Sequence, residues 1–117
     1  MHGAGPTEHQ TQAAFHRFMQ LKYPHVISFA VPNAAKRGPA LASRMKAEGM
    51  VAGIPDYFID FATPDFHGLR IEFKRNARAK LTDAQAAMAE RYKRAGYRWE
   101  LCCDFDSAAA LVKEYLR

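Results

Sequence analysis

Cysteine is nearly absent from this 117-residue chain: the two present, Cys102 and Cys103, are adjacent. Neighbours in a strand point to opposite faces, so a disulfide between them does not fit. There is no CxxC pair and no Cys/His cluster, which argues against structural zinc. The five histidines (2, 9, 16, 25 and 67) show no HxH or HExxH spacing. No apolar run approaches the ~20 residues of a membrane-spanning helix, so no membrane partner is expected. The opening MHGAGPTEHQTQ lacks the apolar region of a secretory signal, which leads us to expect a cytoplasmic protein. Repeats, low-complexity tracts and linkers are missing too. An apolar content of 49% argues against disorder. We therefore expect a flexible N-terminal tail over 1–6 and a single domain over 7–117. Acids are also in short supply: twelve Asp and Glu against seventeen Lys and Arg give +5. That excess favours a polyanionic partner, nucleic acid first, although ordinary solubility charge would look the same.

The pattern predicts an α/β domain. Thr7 to about Tyr23 reads as a helix, with Thr7 and Gln10 forming a capping box and Pro24 stopping it. Val26 to Val31 reads as a strand, ended by Pro32-Asn33. Residues 33–55 are the least regular, with room for a short helix around Leu41–Ala47. Asp56–Ala62 and Leu69–Arg75 read as strands around the turn residues 63–68. Thr82 starts a helix that Gly96 ends. Tyr97–Cys103 is a fourth strand, and Ser107 caps a final helix. The main elements run αβββαβα, a small mixed sheet flanked by helices.

The central hairpin carries the chemistry. Centred on Asp65, it places Tyr57, Ile59 and Phe61 on one apolar face with Leu69, Ile71 and Phe73. The other face sets Asp60 opposite Arg70 and Asp56 beside Lys74, with Glu72 two residues along. Close carboxylates repel unless a cation or proton lies between them. A hard cation such as Mg²⁺ takes oxygen ligands of this kind. A solvated polar face with ordinary salt bridges would give the same pattern.

Glu8 bears on that choice. Glu8, Gln12, Phe15 and Met19 form one helical stripe, and Phe15 and Met19 must face the core, so Glu8 lies at the inward edge. A first-turn Glu also favours the helix dipole. Gln85 has two readings as well: a capping partner of Thr82, or a side chain near Glu72 and Lys74.

These residues resemble a known family. Pro55-Asp56 followed by Glu72-Phe73-Lys74 looks like the PD-(D/E)XK nuclease signature. Asn33, Lys46-Ala-Glu-Gly49, Gly53-Ile-Pro-Asp56, Gly68-Leu-Arg-Ile-Glu-Phe-Lys-Arg75, Leu81-Thr-Asp-Ala-Gln85 and Gly96-Tyr97 resemble its VRR-NUC branch, over about residues 7–117. The resemblance implies a restriction-endonuclease-like core and a Mg²⁺-dependent DNA endonuclease, with Mn²⁺ able to substitute. It implies Asp56, Glu72 and the Phe73 backbone carbonyl as metal ligands, and Glu8 as a ligand directly or through water. Lys74 would orient or activate the attacking water, and Gln85 would stand near the site. Stand-alone members resemble Holliday-junction resolvases, which implies a homodimer cutting branched DNA in repair or recombination, in a bacterial or phage setting.

Given that reading, Lys36, Arg37, Arg44 and Lys46 before the site, and Arg75, Arg78 and Lys80 after it, are the expected DNA contacts. Neither basic segment contains an acid. Two other functions share the pattern: a flap, nicking or restriction-like nuclease with the same site, and a DNA-binding module that does not cut.

Overall fold

A computed structural model describes residues 5–32 and 38–117. Asn33, Lys36 and Arg37 lie outside the described residues, as does most of the expected tail. Helix α1 (Glu8–Lys22) opens with the expected capping box: Gln10 N–H donates to Thr7 Oγ1 at 3.0 Å, and Thr7 N–H donates to Gln10 Oε1 at 2.9 Å. Strand β1 (Ile27–Ala30) follows, then helix α2 (Pro39–Ala47), which starts at a proline whose fixed φ suits a first helical position. The hairpin strands are β2 (Tyr57–Asp60) and β3 (Leu69–Phe73). Helix α3 (Asp83–Arg94), strand β4 (Arg98–Cys102) and helix α4 (Phe105–Tyr115) complete the order αβαββαβα, which adds α2 to the expected main elements. The sheet runs β1-β2-β3-β4, antiparallel except for the parallel pair β3 and β4.

Alternation along β2 and β3 decides what covers each face. Tyr57, Ile59, Leu69, Ile71 and Phe73 are fully buried and pack with Phe15 and Met19 of α1 and Ala108, Leu111 and Val112 of α4. Removing that apolar area from water, at roughly 25 cal/mol per Å², is the main force holding the helices to this face. The opposite face carries Phe58, Arg70 and Glu72, and α3 lies over it, with Tyr92 edge-on to Phe58.

Three expectations need correction. The hairpin register is Tyr57↔Ile71, Phe58↔Arg70, Ile59↔Leu69, two residues away from the expected pairing. A two-residue slide leaves every side chain on its face, so the apolar pattern could not detect it. The turn is set instead by Thr63, whose Oγ1 accepts from the N–H groups of Asp65 and Phe66. Phe61 falls beyond the paired residues and is exposed, not core. Finally, α4 is capped by Asp104, whose Oδ1 accepts from Ser107 N–H at 2.7 Å; Ser107 is the third helical residue, not the cap.

Candidate active site

Extending the observed register by one step sets Asp56 opposite Glu72, in the place the sequence pattern assigns to Lys74. The corrected pairing thus brings the two acids closer in the sheet than the sequence suggests. Asp56 is oriented by the backbone: its Oδ2 accepts from Phe73 N–H at 2.8 Å. Glu72 is only 2% exposed, yet its Oε1 has no hydrogen-bond donor among the described residues. The Asp56 carboxyl is its side-chain neighbour, and the two acids share a hydrogen bond only when one is protonated. Burial first, then the hydrogen bond and charge of Asp56, drive the Glu72 carboxyl up to about 9; Lys74 opposes the shift and Glu8 adds to it.

Gln85 serves both of its expected roles, with separate atoms. Its backbone N–H and Oε1 close the capping box with Thr82 at 3.1 and 2.9 Å. Its Nε2 donates to Glu72 Oε2 at 3.3 Å. The start of α3 can approach this closely because Gly53, at φ +82°, presses against it. A β-carbon at residue 53 would collide with the backbone of Ala84. Gly53 also bears the left-handed conformation that side chains disfavour.

Two positions along the same face of β3, Arg70 is buried at 6% exposure. Its Nη1 donates to Asp60 Oδ1 at 2.9 Å. Its guanidinium lies over the rings of Phe58, Tyr97 and Tyr92 at 3.9, 4.5 and 5.3 Å. The Asp60–Arg70 pair expected from the sequence therefore forms diagonally. This cluster ties α3, through Tyr92, to the strand that carries Glu72.

The structure brings together Asp56, Glu72, Lys74 and Gln85. Glu8, half-buried at the start of α1, acts on Glu72 through its charge. Among the described residues, however, no three His, Cys, Asp or Glu side chains form a ready metal cluster. The acids meet as a pair, with Glu8 outside that pair. Arg44, Lys46, Arg75, Arg78 and Lys80 are all exposed, and Arg44 lies 4.0 Å from Glu48. Sequence reasoning missed His16, whose Nδ1 lies 2.7 Å from Tyr57 Oη, itself donating to Ser28 Oγ at 3.0 Å. This chain of hydrogen bonds links α1, β2 and β1; a lone histidine at no motif spacing gave no signal for it.

No family model matches the sequence, and no curated protein matches it. Solved structures do match. One described as a VRR_NUC domain protein is 25% identical, with a TM-score of 0.82 over 97% of this chain and 91% of that one. This chain has the VRR_NUC fold. A second structure, described as a VRR_NUC domain, is 14% identical with a TM-score of 0.59, covering 94% of this chain and 99% of that one. In this VRR_NUC fold the hairpin, the parallel pair and the capped start of α3 converge at one end of the sheet, where the acids lie. Among the described residues, no helix is long and apolar enough to cross a membrane.

Proposed function

We propose that this chain is a metal-dependent DNA endonuclease, with branched DNA as substrate and a homodimer as the working form. The observation that carries the reading is the buried Glu72 carboxyl, beside Asp56 and with its Oε1 lacking a donor among the described residues. Two carboxylates meeting at a buried oxygen without a donor are unfavourable unless a proton or a cation joins them, and in the proposed enzyme a cation would take the proton's place. The donor set suits a hard cation: Asp56, Glu72 and the Phe73 carbonyl offer only oxygen, with Mg²⁺ or Mn²⁺ the expected occupants. Glu8 would complete the set through a bridging water. A bound divalent ion would supply Lewis-acid polarisation of the phosphate and a more acidic water.

The chain's own groups do the rest. Phe73 N–H fixes Oδ2 of Asp56. Gln85 holds Oε2 of Glu72, so Oε1 keeps its direction. Lys74, half-buried on the same strand face, places an ammonium beside the acids. There it orients a water and offsets charge building on the phosphate. Exposed Arg44, Lys46, Arg75, Arg78 and Lys80 supply phosphate contacts. Each neutralised phosphate contributes a log–log salt slope of about −0.9 in duplex binding. Symmetric cutting of a four-way junction needs two sites related by a two-fold axis, hence two copies of this one-site chain.

The test is cleavage of a panel of four-way junctions, flaps and linear duplexes with Mg²⁺ or Mn²⁺, alongside gel filtration. Paired symmetric nicks by a dimer are expected, lost in Asp56→Asn and Lys74→Ala. Unchanged cleavage by either variant would remove the assignment. Cutting of flaps or duplex alone would replace the junction with those substrates.

A further inference from the structure

On the α1 side of the sheet, a groove of about 270 Å³ opens at the carboxyl ends of β3 and β4. That is where open α/β sheets receive ligands. Arg75, on its wall, follows Lys74 in the chain, so the groove begins just beyond the end of the strand that carries Glu72.

Its polar lining is biased toward donors. Gln10 commits Oε1 to Thr7 N–H, and Asn76 commits Oδ1 to the N–H groups of Arg78 and Ala79 at 2.9 and 3.1 Å. Each amide oxygen is held by backbone, which leaves each NH₂ free to donate. Arg75 adds a guanidinium. Thr11 also lines the groove at 7% exposure, and no hydrogen bond engages its hydroxyl among the described residues. The one acid on the wall, Asp104, already accepts from Ser107 N–H, a bond that holds its carboxyl below the usual range. Phe105 gives an apolar wall, which suits the flat face of a base better than a bare phosphate.

We propose that this groove receives one unpaired nucleotide adjacent to the bond being cut, its base in the groove and its phosphate on Arg75. The proposal rests on the nuclease reading. A base still stacked in a duplex cannot enter, whereas a branch point or frayed end releases one at little cost. Donors on the wall match bases that present carbonyl oxygens, thymine O4 above all.

Cys103, half-buried on the same wall, provides a readout independent of cleavage. A thymine bearing a tethered thiol, masked as a disulfide with a small thiol, is placed in turn at each position around the mapped cut in branched DNA with chelator present. The Cys103 thiolate attacks the tether sulfur, forming a protein–DNA disulfide and releasing the small thiol. Cys102 does not compete: it is buried, and burial pushes its thiol up to about 12. The expected adduct forms at one or two positions next to the cut and disappears in Cys103→Ser. Its yield falls about threefold to tenfold in Thr11→Val and Gln10→Glu, each of which alters one hydrogen-bonding group while keeping side-chain size. Adducts at no position, or equally at all, with cleavage of unmodified DNA intact, would overturn the groove assignment and leave the nuclease standing. A wild-type chain that neither cuts nor retains DNA would overturn both.

Discussion

Arg70 and Glu72 are both buried, both charged in water, and two residues apart on one face of β3, yet their surroundings are opposites. Arg70 has an acid at 2.9 Å and three aromatic rings against its guanidinium. Glu72 has a like-charged neighbour, one amide donor, and an oxygen with none. Arg70 keeps one unpaired nitrogen, Nε, among the described residues, but its charge is met by Asp60 and the rings and holds structure; Glu72 has no opposite charge in contact, and the proposed cation would supply one. The strand thus changes role between residues 70 and 72.

Substituting each residue is the sharpest way to break this contrast. Glu72→Gln should lower cleavage by at least about a thousandfold, yet raise the stability of the metal-free chain at neutral pH by about 1–3 kcal/mol, because folding no longer has to protonate a buried carboxyl. Parallel activity and urea-unfolding measurements check both halves; a destabilised Glu72→Gln chain would contradict the contrast. Arg70→Leu should cost about 2–4 kcal/mol, because half-exposed Asp60 is left to rehydrate and no cation lies against the three rings. Arg70→Lys should recover little of it, since a point charge cannot stack as the planar guanidinium does.

Acidity sharpens the same comparison. The Glu72 carboxyl titrates near 9 in the folded chain and near 4.5 when unfolded, so the folded state binds the extra proton between those values. Its contribution to stability is therefore full at and below about pH 4.5 and falls as pH rises toward 9. In chelator, the melting temperature of wild type relative to Glu72→Gln should drop across that window. Added Mg²⁺ should reverse the drop in wild type alone, which a thermal-shift series would show.

The smallest effects come from the two capping boxes. Thr7→Ala and Thr82→Ala should each cost about 1 kcal/mol. Only Thr82→Ala should also reduce activity, because it loosens the glutamine that holds Glu72. Gln85→Ala should lower activity by about 10- to 100-fold, as loss of a group orienting a metal ligand does.

Much of this was legible in the residues. Both capping boxes, the apolar face of the hairpin and the inward edge for Glu8 follow from local spacing. The hairpin register was not, because a slide of two preserves every face, and only the Thr63 turn distinguishes the alternatives. Asp104 and Ser107 are both good caps, and choosing between them requires knowing where β4 ends. Gln85 could not be resolved because its capping atoms and its Nε2 are independent, and only the close packing at Gly53 reveals where the latter points. The groove beneath α1 was invisible because its walls come from segments far apart in the chain.

The hairpin that pairs Asp56 with Glu72 is also the most local strand pairing in the sheet, joined through residues 61–68. Pairings between near neighbours in sequence form early, because closing a short loop costs little entropy. The two acids are therefore expected to meet early in folding, and if they hold the proposed ion, dissolved magnesium should speed refolding itself, more than it slows unfolding.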